Sequence, residues 1–466
     1  MGGLDKLSFR IGTRGQGPLP VRKHGVGMGG IRREPVLGGI EARFRQEEPT
    51  VIRLFVQEYF RVYPDHVYDW QALDDVIASI RAAGAEPMLA LCMKPHVLYP
   101  VVDQRIVHPN DYMAWQTLIR KMVQHYNQEL GWTIRYWEIF NEPDLGEEGG
   151  CPGLFTPEDY CMYYAKTVEA ILSADPTVRV GGPALAYSQD PILAVWLKYC
   201  VDEGVRVDFV SWHYYTAYPD EMRHQIRTAL NEIEKYPQLH VETIVNEWNM
   251  RHWGEEGERT ERMLADYPTL RCAHLIATLQ VFLDMGVDRS NFYHLKDTGC
   301  DVSQFSGWMS DKGIAFMDDH WNRMSHNWAL FSAANEARPH YYAYTMFQEM
   351  LGEQLPVQGA GTAEDTGDVG MLAVEQEEAY VILVWNYNFD DPRPHDVEVA
   401  IKKDWMKGGQ VAMTRLDATT VKEVIKKDGW VAPDLLACGM AGEDAIFRLT
   451  AEPFGVYSIR ITRQQK

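Results

Sequence analysis

Two glutamates stand where a carboxylate pair could do chemistry, each just after a run of residues that is typical of a buried strand. The run 134–140 leads into Glu142, and the run 243–245 leads into Glu247. Two facing carboxyl groups can cleave a glycosidic bond when one protonates the glycosidic oxygen and the other attacks the sugar or activates water. Either glutamate alone is equally compatible with a solvated rim position, so the hypothesis depends on the pair.

The residue after Glu142 makes a further local prediction. Pro143 cannot donate a ladder hydrogen bond, and its ring disfavours helical geometry in the residue before it. The sequence therefore predicts that the strand ends here and that Glu142 has an extended backbone.

The elements that must position these glutamates alternate between short apolar strands and amphipathic helices. After the strand 51–56, for example, apolar residues recur at spacings of three and four over residues 73–80, which predicts a helix. Strands of this pattern are predicted at 25–29, 51–56, 87–93, 134–140, 178–182, 207–212, 240–245 and 291–295. Such strand–helix units fit a (β/α)8 TIM barrel better than an open sheet. Active sites of this fold lie at the C-terminal ends of the strands, where Glu142 and Glu247 follow strands four and seven.

The pattern changes on either side of the barrel. Residues 296–337 are long for one loop and are predicted to form a partly ordered excursion over the barrel mouth. Beyond Gly352, alternating apolar residues predict an antiparallel β-sandwich. The predicted division is a barrel at 21–352, a sandwich at 353–466 and a segment at 1–20 that adds a strand to the sandwich.

Composition excludes several classes of function. The chain has 466 residues and a formal net charge of −21, which argues against nucleic-acid partners and against a basic membrane-binding surface. No apolar stretch is long enough to span a bilayer, and residues 1–20 lack the apolar core of a signal peptide. The seven cysteines are scattered, which is typical of free thiols in a reducing compartment. A cytoplasmic location is therefore expected. The glycine pattern at 25–30 is not followed by a helix. We therefore predict no nucleotide cofactor. The fifteen histidines show no HExxH motif and no tight ligand cluster, so we predict no metal.

The residues around the glutamates resemble a known group of enzymes. Asn141-Glu142-Pro143 and Glu247 are similar to the signatures of clan A glycoside hydrolases. The segments 137–144, 180–183, 208–215, 246–249 and 338–343 are similar, in this order, to segments of glycoside hydrolase family 39, which contains β-xylosidases and α-L-iduronidases. The resemblance extends over about residues 25–352 and implies a barrel followed by a β-sandwich.

The resemblance also implies residue roles. Glu142 would be the general acid/base and Glu247 the nucleophile, while Asn141 would hydrogen-bond the sugar 2-hydroxyl. The resemblance further suggests that Tyr215 and Arg53 keep the nucleophile ionised. Other candidates for substrate contact are His213, Trp248, Trp308 and His96.

Two positions depart from the family pattern. Many members carry histidine in strand two where this chain has Phe55, and threonine often stands where it has Asn246. The polar contact at Phe55 would then be absent or supplied by another residue, with Gln57, Glu58 and His96 as candidates.

These observations predict a retaining β-glycosidase acting from one end on short oligosaccharides or glycosides, with β-xylosidase as the default. Alternatives are β-glucosidase, α-L-arabinofuranosidase, a uronic-acid-specific hydrolase that binds a carboxylate through Lys94, Arg251 or Lys296, and a non-catalytic sugar-binding barrel. No cofactor is expected. Whether the chain forms a homo-oligomer stays open.

Overall fold

Strand β1 (Lys6–Ile11) is followed by eight parallel strands that close into a barrel. The structure, a computed structural model, describes residues 6–28, 33–35, 37–43, 50–323, 327–359, 367–406 and 410–462. The barrel strands are β2 (His24–Gly27), β3 (Val51–Val56), β4 (Glu86–Leu91), β5 (Tyr136–Ile139), β6 (Arg179–Leu185), β7 (Phe209–Tyr215), β8 (Glu242–Asn249) and β9 (Arg289–Tyr293). Parallel pairing of β2 with β9 closes the ring.

Helices connect the barrel strands and cover the outside of the barrel. They are α1 (Gln71–Ala82), α2 (Tyr112–Gln124), α3 (Pro157–Ala174), α4 (Pro191–Glu203), α5 (Pro219–Ile233), α6 (Gly254–Asp266), α7 (Leu270–Met285), α8 (Asp311–Asp318) and α9 (Pro339–Gln348). Local sequence explains several of their starts. At α3 the Thr156 hydroxyl accepts from the amide of Asp159, and Pro157 occupies the first turn, where its missing N–H costs nothing.

The barrel interior changes character from one end to the other. Apolar side chains fill the N-terminal end, namely Val51, Met88, Tyr136, Phe209 and Ile244. Two residues further along the same strands, the inward side chains include Arg53, Glu138 and Ser211, which are all buried. Side chains two residues apart on a strand point to the same face, so the polar layer lies directly above the apolar floor inside the barrel.

The C-terminal part is a sandwich of two sheets. Its strands are β10 (Glu353–Leu355), β11 (Val357–Gly359), β12 (Val369–Glu375), β13 (Ala379–Asn386), β14 (His395–Lys402), β15 (Val411–Leu416), β16 (Asp434–Leu435), β17 (Gly439–Ala441), β18 (Asp444–Ala451) and β19 (Val456–Thr462). One sheet has the order β11-β1-β14-β18-β17, and the other has the order β10-β12-β13-β19-β15-β16. Strand β1 pairs parallel to β14, so the N-terminal strand belongs to the sandwich. The predicted fold class, a (β/α)8 barrel with an antiparallel β-sandwich, is confirmed.

Several elements of the sandwich were not predicted. Strand β12 follows an acidic, turn-rich segment and was not predicted. Helix α10 (Val421–Lys427) lies in a region where we expected no helix. Val421 and Val424 are the buried residues of that single short helix, and two apolar positions three apart are too few for a periodic signal.

The sandwich packs directly on the barrel. One continuous core includes barrel residues together with Leu372, Leu383 and Trp385 of the sandwich. The Tyr387 hydroxyl donates to the carbonyl of Ala217, in the loop after β7. Among the residues described, no helix combines the length and the apolar character needed to cross a bilayer.

Candidate active site

A β-bulge in β8 aims Glu247 into the barrel. The pairing of β7 with β8 runs from Trp212 opposite Val245 to His213 opposite Glu247, so Asn246 is the extra residue. Without the bulge, alternation would send Asn246 inward and Glu247 outward to the helices. The bulge lets both point inward, which is the re-aiming of a side chain that bulges near active sites provide. Strand β8 therefore continues through Glu247, whereas we predicted a strand end at residue 245.

The backbone at Glu142 is not extended, and that prediction was wrong. Its φ is 44°, in the left-handed region that residues other than glycine rarely adopt. The Glu142 amide donates to the carbonyl of Ala184 at 2.9 Å, and its own carbonyl accepts from the amides of Leu145 and Gly146 at 3.0 Å each. These hydrogen bonds hold a tight turn that overrides the preference imposed by Pro143. Strained backbone of this kind is concentrated at functional sites.

Arg53 organises the charges at the top of the barrel. Its Nε donates to Glu138, its Nη1 to Glu247 and its Nη2 to the Asn141 Oδ1 atom, each at 2.6 Å. Glu138 also accepts from Ser211 at 2.6 Å and from Asn246 at 2.5 Å. One buried guanidinium thus serves three acceptors on three strands or loops, and its planar fork fixes their relative positions.

Glu247 has two partners that favour its ionised form. The Tyr215 hydroxyl donates to Oε2 at 2.8 Å, while Arg53 binds Oε1. Burial raises the pKa of Glu247, but the charge of Arg53 and the Tyr215 hydrogen bond oppose that rise.

Glu142 lies close to Glu247 but has a different environment. Its Oε1 is 2.8 Å from Nδ1 of His213, and an oxygen of each glutamate and a ring nitrogen of His213 lie within 4.8 Å of one another. Burial raises the pKa of Glu142 well above its usual range, and the charge of Glu247 adds to the rise. Burial and the charge of Arg53 lower the pKa of His213 well below its usual value, so the imidazole is neutral. The two carboxyl groups are therefore suited to opposite protonation states.

Glu142, His213 and Glu247 are also the described residues that offer ligand atoms close enough together to hold a metal ion. These are the same three groups whose pKa values are shifted by burial and by neighbouring charges. A bound cation would compete with the proton on Glu142.

A cavity of about 380 Å³ opens beside the two glutamates. Its volume is in the range of small-molecule sites, which are mostly apolar with a few placed polar groups. Aromatic side chains make up much of the wall: Phe55, Tyr187, Tyr214, Tyr215, Trp253, Tyr293, Phe316, Trp321 and Trp328. Polar groups at the cavity include Gln57, Asn141 and Arg251.

The long excursion after β9 forms one wall of this cavity, as its predicted position over the barrel mouth suggests. Helix α8 and the turn that follows it contribute Phe316, Met317 and Trp321. The excursion is tied to the loop that follows Glu142. Glu147 accepts from the Ser310 amide at 2.7 Å and from the Ser310 hydroxyl, and Lys312 donates to Glu148 at 2.8 Å.

The structure brings six predicted site residues together and places three elsewhere. Arg53, Asn141, Glu142, His213, Tyr215 and Glu247 form the buried cluster described above. Trp248 is 1% exposed and packs edge-on against Phe282 and Phe292, because the bulge at Asn246 turns it outward. Its predicted stacking on a sugar is corrected accordingly.

Trp308 and His96 also lie outside the cavity lining, so both predictions are corrected. Trp308 stacks on Phe305, and its indole N–H donates to the carbonyl of Gln304 at 2.9 Å. His96 is exposed in the loop after β4. Sequence position alone does not show whether Trp308 or His96 reaches the barrel mouth, because the path of each loop decides which side chains line the cavity.

Of the three candidate basic residues, Arg251 lines the cavity. It lies 3.7 Å from Glu256, and its Nε donates to the carbonyl of Tyr215 at 3.3 Å. Lys94 is buried elsewhere, where its ammonium group donates to the carbonyls of Asp103 and Pro152. Burial lowers the pKa of Lys94 to about 8. Lys296 is not part of the cavity lining.

Sequence reasoning missed Glu138 and most of the aromatic wall. Glu138 is fully buried in the middle of β5. A charged residue inside an otherwise apolar strand was the available signal for it. Cys151, Trp253 and Trp321 come from loops, for which the sequence carries no comparable signal.

Comparison with known proteins adds to this geometry. Residues 55–251, which contain both glutamates, match the model of glycosyl hydrolases family 39. The chain is similar to this family over 197 of its 466 residues. The matched span runs from β3 to the residues just after β8, and it includes Asn141, His213 and Tyr215.

Two curated relatives of this chain carry the name β-xylosidase. The one from Geobacillus stearothermophilus is 24% identical over 316 residues, covering 62% of this chain and 57% of the relative. The one from Caldicellulosiruptor saccharolyticus is 22% identical over 342 residues, covering 68% of this chain and 63% of the relative. The aligned region therefore spans less than two thirds of the length of either relative.

Solved structures share the fold of this chain over nearly its whole length. A monomeric β-xylosidase from Caulobacter crescentus CB15 superposes with a TM-score of 0.73 at 16% identity, covering 99% of this chain and 100% of that one. The GH39 enzyme from Xanthomonas axonopodis pv. citri gives 0.72 at 16% identity, covering 99% and 98%. At these identities the likeness establishes the barrel-plus-sandwich architecture.

Proposed function

We propose that this chain is a retaining glycoside hydrolase that removes terminal β-linked sugars from short oligosaccharides or glycosides. In this proposal Glu142 is the general acid/base and Glu247 is the nucleophile. β-Xylosides are the first substrates to test, because the two curated relatives above carry the name β-xylosidase.

The observation that carries the proposal is the asymmetry between the two buried carboxyl groups. Glu247 accepts from Arg53 and Tyr215, and Glu142 has the neutral His213 beside it. Double displacement needs one ionised carboxylate and one protonated carboxylic acid at the same time. A non-catalytic sugar-binding protein has no use for that difference.

The separation of the two groups favours the retaining mechanism. A retaining pair has its carboxyl groups about 5–5.5 Å apart, whereas an inverting pair leaves about 6.5–9.5 Å for a water molecule. Carboxylate oxygens of Glu142 and Glu247 lie within 4.8 Å of each other. That spacing leaves the nucleophile in reach of the anomeric carbon.

The chemistry follows in two steps. Glu142 gives its proton to the glycosidic oxygen as the bond to the anomeric carbon breaks, and Glu247 forms an ester with that carbon. Glu142, now ionised, removes a proton from water, which attacks the anomeric carbon and releases Glu247. The neutral imidazole of His213 can donate from Nδ1 to Glu142 while that group is ionised.

Asn141 is placed for the role that the family resemblance implies. Its carbonyl oxygen is held by Arg53 Nη2, and one amide N–H is directed to the sulfur of Cys151. The second N–H is the group left to meet the sugar 2-hydroxyl. A contact to that hydroxyl strengthens in the transition state. The position of the excursion over the barrel mouth supports attack from one end of a short substrate.

A second candidate is hydrolysis of a uronic-acid glycoside. Arg251 is a cationic side chain at the cavity wall and could bind a sugar carboxylate. Its 3.7 Å contact with Glu256 already offsets part of that charge, so xyloside cleavage remains the first proposal.

A panel of 4-nitrophenyl glycosides tests the proposal directly. We expect cleavage of the β-xyloside, with activity lost in Glu247→Gln and retained in the control Glu398→Gln on the sandwich surface. Greater activity on a β-glucuronide that is lost in Arg251→Gln would replace the sugar assignment. No cleavage of any glycoside by folded wild-type protein would refute the hydrolase assignment.

A further inference from the structure

Gln57 stands at the cavity wall one residue beyond the end of β3. Its side chain is 3% exposed and lines the cavity together with Phe55. Phe55 has neither a donor nor an acceptor in its side chain. Gln57 is thus the next residue along this segment that can offer a polar group to a ligand.

A hydrogen bond to the backbone fixes the orientation of the Gln57 side-chain amide. Nε2 donates to the carbonyl oxygen of Gly150 at 2.8 Å and lies 3.4 Å from the sulfur of Cys151. A carbonyl can only accept, so the amide cannot be turned over without placing two acceptors in contact. Oε1 must therefore be the atom directed away from Gly150.

Gln57 Oε1 is buried and makes no hydrogen bond with any of the described residues. A buried acceptor without a partner is costly, and such groups at a binding site are often completed by the ligand. The amide is oriented and buried before any ligand binds.

We propose that Gln57 is a specificity-determining residue whose Oε1 accepts a hydrogen bond from a hydroxyl group of the bound sugar. This inference rests on the proposed glycosidase function and names a contact within the same site. Because Oε1 is solely an acceptor, the partner on the sugar must be a hydroxyl that donates.

The position of Asn141 indicates which hydroxyl this is. Asn141 Nδ2 lies 3.5 Å from the sulfur of Cys151, and Gln57 Nε2 lies 3.4 Å from the same sulfur. The two amides therefore flank one sulfur atom, and both residues line the cavity. If Asn141 meets the 2-hydroxyl, Gln57 meets the hydroxyl on the adjacent ring carbon, which is the 3-hydroxyl.

A double-mutant cycle between enzyme and substrate tests this contact. We would measure kcat/KM of wild type and Gln57→Met on 4-nitrophenyl β-xyloside and on its 3-deoxy analogue. Loss of the 3-hydroxyl should cost wild type about tenfold or more and should cost Gln57→Met less than about twofold. The cycle cancels the electronic effect of the deoxy substitution, because both enzymes cleave the same two substrates.

Gln280→Met is the matched control. Gln280 on α7 also has a buried side-chain oxygen without a hydrogen-bond partner, but it is not part of the cavity lining. We expect this variant to retain the wild-type penalty for the 3-deoxy substrate. Equal penalties in wild type and Gln57→Met would overturn the proposal, and coupling to the 4-hydroxyl instead would overturn the assigned position.

A second measurement needs no variant, in case Gln57→Met does not fold. Phenyl 1-thio-β-xyloside and its 3-deoxy and 3-fluoro analogues can be compared as competitive inhibitors of wild type. Fluorine cannot donate a hydrogen bond, so both analogues should bind about tenfold more weakly than the parent. A 3-fluoro analogue that binds as tightly as the parent would refute an acceptor at this position.

The outcomes separate the two proposals. If folded wild-type protein cleaves no glycoside, the proposed function fails and the cycle cannot be run. If it cleaves the xyloside with no coupling at Gln57, the function stands and the role of Gln57 is refuted.

Discussion

Arg53 Nη1 lies 2.6 Å from Glu247 Oε1 inside a barrel that buries both side chains. The same guanidinium holds Glu138 and Asn141, so one residue of β3 links the proposed nucleophile to the residue proposed to bind the 2-hydroxyl. Burial opposes the charge of Arg53, but the carboxylates of Glu138 and Glu247 raise its pKa above the usual value. Each charge in the cluster has a partner, so the loss of one would leave another charge buried and unpaired.

Arg53→Lys should therefore remove most activity, although it keeps the charge. An ammonium group cannot reach three acceptors in fixed directions as a guanidinium does. We expect kcat/KM to fall by about 100-fold or more, in line with the cost of breaking a buried charge pair. Arg43→Lys, at the exposed pair with Asp428, is the control and should change activity little. Near-wild-type activity in Arg53→Lys would contradict this reading of the cluster.

Tyr215→Phe should shift the acid limb of the pH profile. The Tyr215 hydroxyl lowers the pKa of Glu247, so its removal raises that pKa. Activity requires ionised Glu247, and a higher pKa means that activity is lost at a higher pH as the solution is acidified. The basic limb, set by deprotonation of Glu142, should move less. The measurement is kcat/KM against pH, and an unmoved acid limb would count against the proposed role of Glu247.

Glu142→Ala and Glu247→Ala should respond differently to the leaving group. Glu247→Ala should lose activity on every substrate, because no nucleophile remains. Glu142→Ala should retain far more activity on activated aryl leaving groups, which need little protonation. Azide should rescue each variant and give products of opposite anomeric configuration. Matching behaviour of the two variants across leaving groups would show that the roles are wrongly assigned.

Hydrolysis should retain the anomeric configuration of the sugar. One carboxylate oxygen of Glu142 and one of Glu247 lie within 4.8 Å of each other, and a retaining pair is the closer of the two known arrangements. Proton NMR of the first product, recorded before mutarotation, checks this. An inverted first product would exclude double displacement.

Ser310→Ala should loosen the excursion that covers the cavity. Ser310 caps α8 and binds Glu147, which lies in the loop after β5. That loop also contains Gly149 and packs closely on the proposed acid. A Cβ at Gly149 would come within 2.2 Å of Glu142 Oε2. Losing the cap costs about 1 kcal/mol, which predicts a several-fold rise in KM with a smaller effect on kcat. Ser303→Ala, in an exposed turn of the same excursion, is the control. Equal KM values for both variants would show that the link does not support the site.

Truncation after residue 352 should give insoluble protein. The core of the barrel continues into Leu372, Leu383 and Trp385 of the sandwich, so truncation would expose a large apolar surface. It would also remove every partner of β1, which pairs with β14 and β11. Expression and solubility of residues 1–352 provide the test, and a soluble, active fragment would show that the barrel folds alone.

The sequence by itself determined the barrel, the sandwich and the two glutamates. Parallel strands buried on both faces are near-continuous apolar runs, and strands that bury one face alternate, so both classes of strand leave a local signal. Glu142 and Glu247 follow such runs, and their position at the C-terminal strand ends follows from the fold. Asn141, His213, Tyr215 and Arg53 were added by resemblance. The structure places His213, Tyr215 and Arg53 against the glutamates and Asn141 against Arg53.

What only the tertiary structure decided is where individual side chains point. The bulge at Asn246 sends Glu247 inward and Trp248 outward, and a bulge depends on the pairing of two strands, which local sequence does not reveal. The left-handed turn at Glu142 depends on a hydrogen bond to Ala184, on the neighbouring strand. The unpaired oxygen of Gln57 exists because Gly150, nearly a hundred positions away in the chain, takes the amide nitrogen. Contacts between distant segments set these features, so they appear only when the chain is folded.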